Sequence, residues 1–109
     1  MPQTHKVLGQ SNPAATTLTT LYAVPSSTQA IVSSLTVCNQ SASAASYRLA
    51  VRPAGAAAAA QHYLVWDSAI GGNDSITLTL GITLAAIDVV SVYASSGTVS
   101  FSAFGVEIS

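Results

Sequence analysis

Ile76-Thr77-Leu78-Thr79-Leu80-Gly81-Ile82-Thr83-Leu84 places an apolar branched residue at every second position, with Thr or Gly between. That is the period of an extended chain, in which successive side chains point to opposite faces. Ile76, Leu78, Leu80, Ile82 and Leu84 are therefore expected to line one wall of a core, while the threonines face water or a neighbour. At roughly 1.5 to 3 kcal/mol per buried large aliphatic side chain, the five together supply on the order of 10 kcal/mol. This is an upper bound, because the unfolded chain already hides some apolar surface. On this reading the run is the central strand of the fold, and Gly81 inside it marks a bulge or a bend.

The same grammar extends in both directions. Downstream, Ala85 to Asp88 leads into a strand from Val89 to Ala94, and Ser95-Ser96-Gly97 turns the chain into a last strand from Val99 to Ile108. Upstream, Gly71-Gly72-Asn73-Asp74 is a strong turn signal, and Gln61 to Asp67 before it carries His62, Tyr63 and the single tryptophan, Trp66. The alanine-rich Ala54 to Ala60 is too short for an independent helix, so one helical turn or a plain loop is expected. Ser46 to Arg52 alternates, with Tyr47, Leu49 and Val51 on one side and Arg48 and Arg52 on the other. Gln29 to Cys38 and Thr16 to Val24 read as two more strands, separated by the Pro25-Ser26-Ser27 turn.

Met1 to Pro13 is polar apart from Val7-Leu8, and its closing Ser11-Asn12-Pro13 breaks regular structure. It reads as an N-terminal arm over residues 1–13, placed before one domain over residues 14–109. The fold class expected is all-β: an antiparallel β-sandwich, jelly-roll-like, of about eight short strands.

Composition narrows the role. The chain has 109 residues, enough for one domain with a core of its own. Half of its residues are hydrophobic, yet only 6% are charged, where a lone soluble domain usually carries about a quarter. Much of the outer surface is therefore expected to be covered by further copies or by a larger assembly. Three basic residues and a formal net charge of -1 argue against nucleic acid as a partner. A membrane is not expected either, since the run from Leu84 to Val92 is too short to span one and contains Asp88. The opening residues lack the apolar core of a secretory signal. Asn39-Gln40-Ser41 and Asn73-Asp74-Ser75 match the glycosylation acceptor pattern but read as turns.

Catalytic and metal chemistry find little to stand on. His62, Asp67 and a serine can be drawn as a triad, but no serine lies in a Gly-x-Ser-x-Gly elbow. His5, His62 and Cys38 lack zinc-ligand spacing. Asp67, Asp74 and Asp88 do not form an alternating calcium loop. The lone Cys38 reads as a small buried apolar group. No enzyme activity and no cofactor or metal is expected. Tyr47, Arg48, Arg52, Tyr63 and Trp66 are of the types that dominate binding interfaces. Together with Lys6, Val7 and Leu8 of the arm, they form the expected interface set. In a chain with so few charges, the two arginines are expected to meet Glu107, Asp67 or a neighbouring subunit.

Several segments resemble a family of small virion proteins from tailed bacteriophages: Lys6 to Ala14, Val37-Cys38-Asn39, Ala50 to Gly55, Gln61-His62-Tyr63, Leu78 to Leu84, and Asp88 to Tyr93. The resemblance implies a structural protein of the particle, assembled in the host cytoplasm and located in the virion, and it brings no catalytic residues with it. The first function it implies is a capsid decoration, or cement, protein: a homo-oligomer, with a homotrimer favoured, bridging copies of the major capsid protein. The other is a tail, baseplate or fibre component, with tail proteins as partners and a receptor- or glycan-binding face around Tyr63 and Trp66.

Overall fold

The computed structural model describes residues 3–109, and over most of that length alternating sequence becomes alternating burial. Eight strands form, β1 (Gln3–Ser11), β2 (Thr19–Ala23), β3 (Gln29–Asn39), β4 (Ala45–Arg52), β5 (Tyr63–Ile70), β6 (Ser75–Leu84), β7 (Val89–Ala94) and β8 (Val99–Ile108). They lie in two four-stranded antiparallel sheets of order β1-β8-β3-β6 and β2-β7-β4-β5. Every connection except the β4–β5 hairpin crosses from one sheet to the other. This is a jelly roll, in which two sheets bury their facing sides against each other. The alanine-rich segment contributes only two short 3-10 turns, Pro53–Gly55 and Ala60–His62. Among the described residues, no helix is long and apolar enough to cross a membrane.

The core lies between the interior strands. Val32, Leu35 and Val37 of β3, Val99, Phe101 and Ala103 of β8, Leu49 of β4, and Val90, Val92 and Ala94 of β7 are fully buried or nearly so. Tyr47 sits among them, edge-on to Phe101 with ring centroids 6.2 Å apart. At one end of the sandwich the side chain of buried Asn39 ties the loops together. Its Nδ2 donates to the carbonyls of Ser43 (2.8 Å) and Gly71 (3.2 Å), and its Oδ1 accepts from the Ser41 amide (3.1 Å) and the Thr98 hydroxyl (3.0 Å). The Asn39-Gln40-Ser41 segment is thus a turn built on an asparagine side chain.

Two sequence expectations are corrected by the sheet order. The phase proposed for Ile76 to Leu84 holds, but β6 is an edge strand, not the central one. Leu84 is buried, whereas Ile76, Leu78, Leu80 and Ile82 are only half-buried against the rim of the core. A period of two identifies which face is apolar and says nothing of how many neighbours the strand has. The bulge expected at Gly81 is present. Leu80 and Gly81 together stand opposite Ser33 of β3, where the register shifts. Related shifts at Ser33 against β8 and at Leu8 in β1 carry the irregularity across the sheet.

The second correction concerns the arm. Met1 and Pro2 lie outside the described residues, but residues 3–11 are β1, paired with β8 from Gln3↔Ile108 to Ser11↔Phe101. The arm is therefore the eighth strand. It is held because Leu8 enters the core and Glu107 of β8 fastens it from the side. Lys6 Nζ lies 3.2 Å from Glu107 Oε1, while the Tyr22 hydroxyl of β2 donates to Glu107 Oε2 at 2.5 Å. One carboxylate thereby joins three strands from both sheets.

Candidate functional site

The outer face of the sheet β2-β7-β4-β5 carries the densest group of distinctive side chains, assembled by irregularities in β5. The register against β4 shifts twice, so that Leu64 has no opposite residue and Trp66 with Asp67 stands opposite Arg48 alone. In a regular strand, Trp66 and Asp67 would point to opposite faces. The bulge turns both outward, and Asp67 adopts a left-handed backbone conformation, φ 50°. For a residue other than glycine that conformation costs on the order of 1 kcal/mol, and bulges of this kind re-aim side chains at functional sites.

Arg48 projects from β4 into the space so made. Its Nε donates to Asp67 Oδ1 at 2.6 Å and its Nη2 to Asp67 Oδ2 at 3.1 Å, a two-pronged pair. The guanidinium also lies between two rings, 3.7 Å from the centre of Trp66 and 4.2 Å from that of Tyr93. Hydrogen bonding by Arg48 holds the Asp67 carboxyl below the usual carboxylate range, and the same bonds raise the guanidinium. The charges of Arg48 and Asp67 are spent on each other, so the part of the face around Trp66 presents aromatic area instead of net charge.

Trp66 is 58% exposed and Leu64 is 53% exposed, two of the four large hydrophobic side chains that stand out in solvent among the described residues. Tyr63 meets Trp66 edge-on at 4.7 Å between centroids. Beside them the loop bearing Ala58, Ala59 and Ala60 completes a shallow hollow of about 450 Å³. Its wall is apolar and aromatic, suited to a flat ring, a sugar face or an apolar side chain rather than to an ion.

The expected interface residues separate into groups. Arg48, Tyr63 and Trp66 come together on this face, and of the acidic partners anticipated for Arg48 the one found is Asp67. Arg52 bonds instead to the Ser91 hydroxyl (3.1 Å) and the Ala56 carbonyl (3.0 Å). Lys6 and Val7 are exposed on β1, remote in the sheet order from β5. Leu8 and Tyr47 are core residues and are not available to a partner. Tyr93 and Asp67 belong to the face but were not in the expected set; alternation alone would send Asp67 inward with Val65, and a carboxylate cannot stay unpaired in a core. That conflict is the sequence signal of the bulge.

The other candidates have structural duties. His62 Nδ1 accepts from the Ala59 amide at 3.1 Å, and Asp88 accepts from the Ala54 and Ala85 amides, both at 2.9 Å. Cys38, expected to be buried, is half-buried at the end of β3. Among the described residues, no group of three His, Cys, Asp or Glu side chains is placed to hold a metal ion. No protein-family model, curated protein or solved structure matches this chain.

Proposed function

We propose that this chain is a non-enzymatic structural subunit of a tailed-bacteriophage particle, a capsid decoration or cement protein that bridges capsid subunits as a homo-oligomer. The observation that carries the reading is the β5 bulge, which spends backbone strain to hold Trp66 and Leu64 outward on a face, beside an Arg48–Asp67 pair whose charges neutralise each other. Such a face is poor at staying in water and good at being covered. The jelly roll beneath it, an architecture common to capsid and lectin domains, is consistent with that use. So is the resemblance of the sequence to small virion proteins.

Cementing on this reading is repeated burial. An interface of about 1,600 Å² per contact, multiplied by the symmetry of a shell, resists internal pressure through avidity. The partners are further copies, for which three is the number expected from the sequence, and the major capsid protein. β1 contributes by completing the sheet; the gripping arm that the sequence suggested is not part of the proposal.

The hollow beside Trp66 favours a second reading, a tail or fibre component in which Tyr63 and Trp66 stack on a glycan of the host surface. Gold labelling of purified virions with an antibody to the chain, viewed by electron microscopy, separates the two. Label over the heads, with Trp66→Ala reducing head binding, is the expected result. Label confined to the tail, with Trp66→Ala reducing adsorption to cells, would replace the first reading with the second.

A further inference from the structure

The two sheets have four edges, and three of them carry features that discourage another strand from pairing. β1 has His5, Lys6 and a register shift at Leu8. β2 is five residues long and also shifted. β5 carries two bulges and Asp67. β6 differs, because Ser75-Ile76-Thr77-Leu78-Thr79 pairs regularly with Cys38 to Ser34 and has neither charge nor proline. Its bulge comes only after Thr79. Asp74, just before the strand, accepts from the Ser75 amide at 2.8 Å; beyond that residue the outer edge of β6 has no strand paired to it, and an exposed edge with an apolar row half in water is a template for a further strand.

We propose that this edge is an interaction surface for a second copy of the chain, joined by antiparallel pairing of Ser75–Thr79 with its own equivalent about a two-fold axis at Thr77. The sequence of the edge selects that occupant. Residues directly opposite each other in a sheet share a face, so a register joining two copies must set apolar against apolar. With Thr77 on the axis, Ile76 meets Leu78 of the second copy on the inner face, and Ser75 meets Thr79 beside the Thr77 pair on the outer face. A slip of one residue would set Thr against Leu and join inner face to outer. A larger shift toward the C-terminus brings the Leu80–Gly81 bulge into the ladder and stops it. The segment is thus self-complementary over the regular length available, and pairing would cover the half-exposed Ile76 and Leu78. The joint extends a four-stranded sheet to eight strands and leaves the Trp66 face free, so it does not depend on the function proposed above.

Analytical ultracentrifugation of the full chain, with Thr77 variants, tests the joint. Thr77 is exposed, so Thr77→Lys and Thr77→Glu should both fold while placing like charges on the axis. The parent is expected to pass from one chain to two as concentration rises. Each variant alone should remain a single chain, and an equal mixture of the two should pair again. Under mild oxidation Thr77→Cys should form a disulfide between copies, because opposed residues in antiparallel strands lie within disulfide reach, whereas Thr83→Cys should not. A parent that stays single up to its solubility limit would overturn the proposal. So would an assembly, of two or three chains, whose mass ignores both charged variants, or a mixture that fails to restore pairing.

Discussion

β1 and β6 bound the same sheet and differ in almost everything else. β1 is polar along most of its length, puts Leu8 into the core and is fastened by Lys6 and Tyr22 through Glu107. β6 has the cleanest apolar alternation in the chain, yet four of its five core-facing side chains stay half-exposed, and among the described residues no ion pair guards it. Both are paired on one side only, but the strand that looks weakest in sequence is also fastened to the facing sheet through Glu107 and Tyr22. Hydrophobic pattern reports a strand's face, whereas its rank in the sheet is decided by long-range pairing.

The largest effects should separate interior from edge. Leu35 of β3 and Leu78 of β6 are register partners, the first fully buried and the second half-buried. Leu35→Ala should cost about 3 kcal/mol in urea unfolding, and Leu78→Ala about 1 kcal/mol, in proportion to the area it has out of water. Equal losses in dilute protein would mean that β6 is not a bare edge.

The two edge glycines sharpen the contrast. A Cβ on Gly9 of β1 would collide with the Leu21 carbonyl oxygen of the facing sheet, while one on Gly81 of β6 would meet nothing within 4 Å. Gly9→Ala should therefore destabilise by about 2 kcal/mol or more. Gly81→Ala should lie within about 0.5 kcal/mol of the parent or slightly above it. Thermal melts of the pair check both.

A smaller effect should come from the fastening of β1. Hydrogen bonding from Tyr22, then from Lys6, holds the Glu107 carboxyl below its ordinary value of 4.5. Because the folded value is the lower one, this contribution is present above the ordinary range and is lost as pH falls through the depressed value. Tyr22 is raised above its ordinary 10.0, by burial first and by Glu107 second. Its contribution is complete below 10 and fades as pH climbs beyond it. Glu107→Gln should lower stability by about 1 kcal/mol at neutral pH and flatten the acid limb of the stability profile. An unchanged acid limb would show that the carboxylate does not hold β1.

Much of the sandwich is legible in the sequence because a two-residue period and turn residues are local signals. The strands after Thr16, the turns at Pro25 and Gly71, the Gly81 bulge and the inward phase of Tyr47, Leu49 and Ile76 to Leu84 all follow from them. β1 was hidden because a single buried apolar side chain, Leu8, gives no period, and its partner β8 lies at the other end of the chain. The aromatic face was half visible. Residue type marked Arg48, Tyr63 and Trp66, but bringing Tyr93 to them takes a neighbouring strand, which has no local signature, and bringing Asp67 takes a bulge whose one sequence signal is a carboxylate on the inward phase.

The central claim, that β6 is an open edge able to take a second copy, is most directly tested by hydrogen exchange at two protein concentrations. In dilute protein the outward-pointing amides of Ile76–Thr79 should exchange fast while those of Ser34–Cys38 stay protected. At high concentration the fast set should slow, with β1 unaffected. Outward amides of Ile76–Thr79 that exchange at one rate at every concentration would contradict it.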